Sequence, residues 1–266
     1  MWRRILLSLF LLNVWACAQA KDVITLRVMA LPENRQIYYT KLLEQALRAE
    51  GVELHLNYLT GIPQPRIWDM VGKNEISLVW GVQTSARDRE YAFIDNQLTN
   101  GLIGQRILLV KKGNENAFAG VRSLDDFRRT GTVGGMGAGW YDVEVWQRNS
   151  LRTYVKTGDW RQLFPMVASG ERGIDYIVRG VTEISSEARN YQGLGIEANL
   201  LLTHDRDMRF YLSPDSARHK AIIENALIQA DRNGLKKKLI AEYLLPELRD
   251  LNLEKRQKLK LVMPPH

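Results

Sequence analysis

The chain is almost without cysteine. Its only one, Cys17, lies close to the start of the 266 residues. Everything after it has no disulfide, no thiol nucleophile and no cysteine-ligated metal. Histidine is also sparse. His55, His204, His219 and His266 stand far apart, with no HExxH and no pair at ligand spacing. No GxSxG turn is present to present a nucleophilic serine. There is no internal repeat, no low-complexity linker and, beyond residue 20, no long apolar run. Metal, thiol and serine catalysis therefore have no motif to stand on, and no cofactor is expected.

The beginning carries a three-part pattern. Met1-Trp2-Arg3-Arg4 is basic, Ile5 to Trp15 is apolar, and Ala18-Gln19-Ala20 is a small-x-small site before Lys21-Asp22. This predicts a cleaved secretory signal over residues 1–20. The apolar run of eleven residues is well short of the roughly 20 needed to span a bilayer. An uncleaved anchor and a lipoprotein ending at Cys17 are the alternatives, the latter opposed by bulky Trp15. Cleavage after Ala20 would take twenty of the 266 residues and leave 246, enough for one large or two modest domains. It would also lower the formal net charge from +7 to +5. Such a chain is expected in the periplasm, where nucleic acid is not an expected partner. An excess this small favours anionic partners without deciding among them. Much of it lies in Arg232 to Lys238 and Lys255 to Lys260, read as solvated helix faces.

Hydrophobic periodicity gives an alternating α/β order. Val23 to Met29 and Val52 to Leu59 read as strands around a helix from Ile37 to Glu50, which Gly51 closes. His55 falls on the polar side of its strand. A short helix over Arg66 to Gly72 and a strand over Glu75 to Trp80 continue a βαβαβ rhythm. Gln105 to Lys111 is a further strand. A second block follows, with a serine-capped helix at Ser123, a strand over Thr130 to Met136 and a helix over Tyr141 to Ser150. Trp160 to Ser169 and Ser185 to Asn190 read as helices around a strand at Ile174 to Val178. Strands at Ala198 to Thr203 and Met208 to Leu212 lead back, and helices over Ala217 to Asn233 and Leu235 to Leu245 end the chain. The implied layout is two α/β lobes with the second inserted into the first: residues 21–111 and 201–266 in lobe 1, residues 112–200 in lobe 2. The cleft between them is the default ligand site.

Two constellations face that cleft in sequence terms. Gly134-Gly135-Met136-Gly137-Ala138-Gly139 lies between a strand and a helix. It fits neither GxGxxG nor a phosphate loop. It is either a plain tight turn or a cradle for an anion at the amide groups of Gly137 to Gly139. The other is Thr84-Ser85-Ala86-Arg87, just after Trp80-Gly81. A guanidinium pairs with a carboxylate through two parallel hydrogen bonds. A salt bridge from Arg87 to Asp88 or Glu90 is the competing reading. Trp80, Trp140 and Tyr141 are placed either to stack on a ligand or to pack a core. Asp142 caps or lines the second turn. His204-Asp205 is read as a surface loop pair rather than a catalytic base.

The stretch Glu75 to Asp95 (EISLVWGVQTSARDREYAFID) resembles the first-lobe signature of family 3 periplasmic solute-binding proteins. The likeness continues through Gln105 to Gly113, Val121 to Gly139 and Asp175 to Ile184 (DYIVRGVTEI). It implies the two-lobed type II periplasmic binding protein-like fold and a monomer that captures a small carboxylate-bearing ligand. The partner would be an ABC transporter membrane subunit or a membrane sensor. It implies that Arg87 binds the ligand carboxylate, with Thr84 adding a hydroxyl. Amino-acid binders of the family place an aspartate in the second lobe for the ligand ammonium. That position falls here on Gly180, beside Arg179. Glu183 is the acid nearest to take its place, and Arg179 would suit a more negative ligand. Alternatively Arg179 and Glu183, spaced i,i+4, pair with each other. Two other outcomes are compatible with the resemblance: a dehydratase-like periplasmic enzyme, and a degenerate binding lobe that serves protein contacts.

Overall fold

A computed structural model describes residues 22–30, 37–170 and 173–264. The expected signal segment and part of the loop after the first strand lie outside these residues.

The first lobe grows from β1 (Val23–Met29), α1 (Ile37–Ala49) and β2 (Glu53–Leu59). β1 alternates between exposed and buried positions, and runs parallel to β2 from Val23↔Glu53 to Met29↔Leu59. Gly51 turns the chain between α1 and β2 at φ +79°, a conformation that L side chains avoid. Then come α2 (Ile67–Gly72), β3 (Leu78–Val82), α3 (Ser85–Glu90) and β4 (Ala92–Phe93). β3 starts later than its apolar run suggests, because Glu75 and Ile76 still donate to the Met70 carbonyl that closes α2. The Ser77 amide then bonds to Arg27 O at 2.8 Å, which ties β3 to β1.

The second lobe contains β5 (Gln105–Lys111), α4 (Leu124–Arg129), β6 (Val133–Gly137), α5 (Tyr141–Arg148) and β7 (Arg152–Lys156). It continues with α6 (Leu163–Ser169), β8 (Tyr176–Gly180), α7 (Ile184–Asn190), β9 (Leu194–Ile196) and β10 (Leu200–Thr203). α4 opens with the expected cap, completed as a capping box by Ser123 and Asp126. β11 (Met208–Leu212) goes back to lobe 1 between β3 and β4, both antiparallel to it. α8 (Lys220–Arg232) and α9 (Leu235–Tyr243) follow, and β12 (Gln257–Lys260) ends the order.

Strand pairing changes twice along the middle of the chain. The second sheet runs β12-β10-β5-β8-β6-β7, with β9 beside β5. β5 is paired almost throughout with lobe 2 strands, so pairing changes before Gln105 and again between Thr203 and Met208. Lys111 is the last residue of β5 and Leu200 the first of β10, both strands of the second sheet. β12 also joins this sheet, beside β10 and parallel to it, so the chain returns to it after α9. The short strands β4, β7, β9 and β12, and helix α3, carry too little periodic signal to be read from sequence.

The first-lobe strands form a two-stranded sheet, β1-β2, and a three-stranded sheet, β3-β11-β4, and in both lobes helices cover the two faces, the arrangement expected of an α/β protein. In lobe 1, Leu42, Leu43 and Leu47 of α1 meet Ile223 and Leu227 of α8 and Leu239 of α9 over β1 and β3. Ile67 and Val71 of α2 cover the opposite face with Val79 and Tyr211. In lobe 2, Phe127, Val145 and Trp146 cover one face, and Leu163, Phe164, Val167 and Ile184 cover the other. Among the described residues, no helix is long and apolar enough to cross a membrane.

The two charge-rich runs are not purely solvated helix faces. Lys236 is buried, with Nζ donating to Asn96 Oδ1 at 2.7 Å and Gln97 O at 2.6 Å and paired with Asp231. Residues 257–260 form a strand in which Leu259 turns inward. Arg256 is buried beside it, donating to Leu251 O and to the Glu197 and Leu200 carbonyls.

Candidate functional site

The first wall of the cleft is set by the end of β3. Trp80 is buried and stacks on Tyr39 of α1 at 5.0 Å with the rings 17° apart. Gly81 follows, and a Cβ there would stand 2.7 Å from the Trp68 ring. Its absence lets Trp68 lie close to the strand, where the Arg87 guanidinium rests 4.4 Å from that ring's centre. Thr84 is the N-cap of α3 and accepts the Arg87 amide at 3.2 Å, which fixes the start of the helix that carries Arg87. Arg87 Nη1 donates to Val82 O at 2.6 Å.

Arg87 makes neither of its anticipated salt bridges. Asp88 accepts from Arg209 at 3.1 Å and from Tyr211 Oη at 2.9 Å, while Glu90 accepts from Tyr91 Oη at 2.9 Å. Among the described residues no carboxylate pairs with Arg87. Burial pulls the pKa of its guanidinium below the ordinary arginine value, while Glu144 and Tyr141 of lobe 2 act on it from across the cleft. Arg87 is thus a half-buried cation held by a carbonyl and a ring, and it faces the second lobe.

The second wall differs more from expectation. Arg179, at the end of β8, is buried. It forms two bonds to Glu187, of 2.5 and 2.6 Å, and a third contact to Glu183 at 2.8 Å. Its guanidinium lies 4.8 Å from the ring centres of both Trp140 and Trp160. Burial alone would lower its pKa, but Glu183 and Glu187 outweigh that and raise it. The i,i+4 pairing of Arg179 with Glu183, one of the two readings offered by the sequence, is present, and Arg179 also binds Glu187 to form a buried ion cluster. Glu183 is part of the same cluster, and its Oε1 also accepts the Gly180 amide at 3.0 Å.

Sequence reasoning missed a second cluster. Arg106 of β5 reaches Asp142 of α5 through Nε at 2.6 Å and Nη2 at 3.2 Å, both side chains being buried. Asp142 lies in the first turn of α5 and complements the positive end of that helix. The pairing of Arg106 with Gly180 across β5 and β8 puts the two clusters side by side. A Cβ at Gly180 would come 3.0 Å from Arg106 Nη1 and 3.3 Å from Glu183 Oε1. The glycine run divides by role. A Cβ at Gly137 would be 2.6 Å from the Trp140 ring and 2.9 Å from Trp160, so this glycine makes room for the two rings. Gly139, at φ +81°, turns the chain with open space around it. Half-buried Trp140 packs edge-on against Trp160, centres 5.0 Å apart.

The hinge lies between these walls. Gly104 and His204 cross so closely that a Cβ at Gly104 would be 2.3 Å from His204 O. Asp207 binds the two crossings together, accepting from Thr99 N and Oγ1, Gly101 N and Met208 N. His204, read from sequence as a surface residue, is buried, whereas Asp205 is exposed. Burial, then the Arg106 charge, brings its pKa down to about 4. A groove of about 490 Å³ on the outer face of lobe 1, lined by Gln45, Arg48, Asn233 and Lys238, lies away from the cleft.

No protein-family model matches the sequence, and no curated protein matches it. Solved structures do match. An ancestral arginine-binding protein bound to glutamine aligns with a TM-score of 0.60 at 19% identity, over 82% of this chain and 97% of that one. The ancestral amino-acid-binding protein AncCDT-1, a precursor of cyclohexadienyl dehydratase, aligns at 0.59 and 15% identity, over 83% and 95%. An amino acid ABC transporter substrate-binding protein from Streptococcus pneumoniae, bound to L-arginine, aligns at 0.54 and 17%, over 78% and 84%. The chain therefore has the two-lobed fold of periplasmic binding proteins, at identities that speak for the fold alone.

Proposed function

We propose that this protein is a periplasmic solute-binding protein that captures a small carboxylate-bearing ligand, an amino acid or related acid, between its lobes. The observation that carries the reading is Arg87. It is a half-buried guanidinium at the end of β3, positioned by Val82 O and Trp68, with no carboxylate partner among the described residues. A ligand carboxylate supplies what it lacks. The aromatic walls, Trp80 with Tyr39 and Trp140 with Trp160, would flank the ligand body. Lobe 1 would comprise residues 22–104 and 208–243, and lobe 2 residues 105–203 with the chain after 244. Closure about the hinge would bury the ligand, and the closed form would be what a transporter subunit or a membrane sensor recognises.

Binding is favoured over turnover by the state of the acids in the two ion clusters. Asp142, Glu183 and Glu187 are each engaged by a guanidinium, so none stands poised as a general acid or base.

Thermal melting of the chain from Lys21 against a panel of amino acids, dicarboxylates and small peptides tests the proposal. A ligand at 100 times its Kd stabilises the fold by about 2.7 kcal/mol. The expected result is a raised Tm that Arg87→Ala abolishes while the unliganded Tm stays close to that of the parent. A rise that survives Arg87→Ala would remove the carboxylate reading.

A further inference from the structure

Arg87 and Arg209 lie on one face of a sheet but keep different company. Gly81 of β3 pairs with Arg209 of β11, and paired residues project to the same side. A Cβ on Gly81 would point at Trp68 and at Arg87 Nη1, the latter 3.6 Å away. Tyr211 follows Arg209 two residues later in β11 and so shares that side. Its ring stands edge-on to Trp68 with the centres 5.3 Å apart. Two guanidiniums and two rings therefore form one patch beside α3.

One carboxylate of α3 enters the patch. Asp88 follows Arg87 directly in the helix, yet its Oδ2 accepts from Arg209 Nη1 at 3.1 Å and its Oδ1 from Tyr211 Oη at 2.9 Å. Both oxygens are thus turned towards β11. Arg209 is itself fixed: Nη2 donates to Asp95 Oδ1 at 2.8 Å, and its guanidinium lies 4.8 Å from the centre of the Phe93 ring. Glu90, the other acid of α3, accepts from Tyr91 Oη. Asp88 is only 19% exposed, and a largely buried carboxylate without a partner is strongly disfavoured. Released from Arg209, it would have Arg87 as the neighbouring cation.

We propose that Arg209 is a positioning residue for ligand capture: together with Tyr211 it holds Asp88 against β11, keeps that acid off Arg87, and leaves the Arg87 guanidinium open to a ligand carboxylate. This rests on the solute-binding reading above and adds to it a residue that acts only through Arg87. Without Arg209 the protein would supply its own competitor for the ligand, and affinity would fall although each ligand contact is still in place.

Two readouts on the chain from Lys21 test this. The first needs no ligand. Phenylglyoxal modifies guanidiniums that are not engaged by a carboxylate, and peptide mass mapping gives its rate at Arg87. In Arg209→Met that rate should fall on the order of tenfold, as expected for a new charge-assisted pair. Arg209→Gln should show the same fall, so the result does not hang on how the methionine variant folds, while Arg209→Lys keeps a cation for Asp88 and should retain the parent rate. Adding Asp88→Asn to Arg209→Met should restore the rate. Adding Asp95→Asn instead gives the same net charge but keeps Asp88, and should leave the rate low. An Arg87 rate that neither Arg209→Met nor Arg209→Gln lowers would overturn the proposal, as would equal recovery with Asp95→Asn, which would mean that net charge alone matters. The second readout is the Tm shift given by the amino acids and dicarboxylates of the panel above. A compound that raises the Tm of the parent should lose its effect in Arg209→Met and regain it with Asp88→Asn; a shift that persists in Arg209→Met would also overturn the proposal. Rates as expected with no Tm shift in the parent would uphold the positioning of Arg87 and count against the solute-binding reading.

Discussion

Replacing Arg179 with methionine tests whether the second wall is organised by charge. Glu187 would then keep its buried position, with its carboxylate at 5% exposure, and lose both bonds to the guanidinium. Removing one partner of a buried pair costs about 3–5 kcal/mol, because the remaining charge loses the two bonds that compensated its burial. Glu183 is 26% exposed and adds less, since water can reach it. Methionine would fill part of the space between Trp140 and Trp160 but would forfeit the cation–π contacts, worth about 0.5–2 kcal/mol. A total of about 4 kcal/mol corresponds, in a chain of this size, to a fall in Tm on the order of 10 °C. The variant should also acquire a pH signature. With the Arg179 charge removed, burial pushes the folded-state pKa of Glu187 upwards relative to the parent protein. Protonation then costs the folded variant less than the parent, so the deficit shrinks as the pH falls from neutral towards mildly acidic values. The double variant Arg179→Met with Glu187→Met should recover most of the loss, since a buried pair exchanged for apolar groups is often neutral. Urea unfolding at several pH values provides the measurement. A loss below about 1 kcal/mol at neutral pH, or a deficit that does not change with pH, would show that the cluster is not the buried unit described here.

Asp207→Ala should destabilise the hinge by about 3 kcal/mol or more, because three backbone amides and the Thr99 hydroxyl lose a shared acceptor; urea unfolding measures it. Gly104→Ala forces a methyl group to 2.3 Å from His204 O, and overpacking of that kind costs about 1–3 kcal/mol; a variant as stable as the parent would show that the hinge can open a gap there. His204 is held neutral, with a pKa near 4 against 6.5 for a free histidine, so the unfolded state binds more protons between those values. Its contribution is complete above about pH 6.5 and is lost as the pH falls towards 4. His204→Phe should flatten the stability profile in that window; an unchanged profile would remove the residue from the argument.

Local chemistry was legible in the sequence where one element suffices. The alternation of Val23 to Met29, the apolar spacing of α1 and the serine cap before α4 each specify a segment from its own residues. Thr84 and Arg87 were singled out together in the sequence, but that Thr84 caps the short helix carrying Arg87 became visible only in the structure. Trp68 and Gly81 were invisible as site residues because their relation exists only once α2 packs on β3.

Composition and periodicity by themselves determined an α/β chain without thiol chemistry, divided into two blocks, with an arginine at the end of a strand. Which charges remain available was decided by tertiary structure alone. Arg87 and Arg179 are the same residue type, each near the end of a strand. One meets a carbonyl and a ring, and the other meets two carboxylates brought to it by α7 and its cap. The Arg106–Asp142 pair joins residues 36 positions apart, and His204 is buried only because a second crossing passes over it at Gly104. Ionic pairing depends on distance in space, which a linear pattern does not contain.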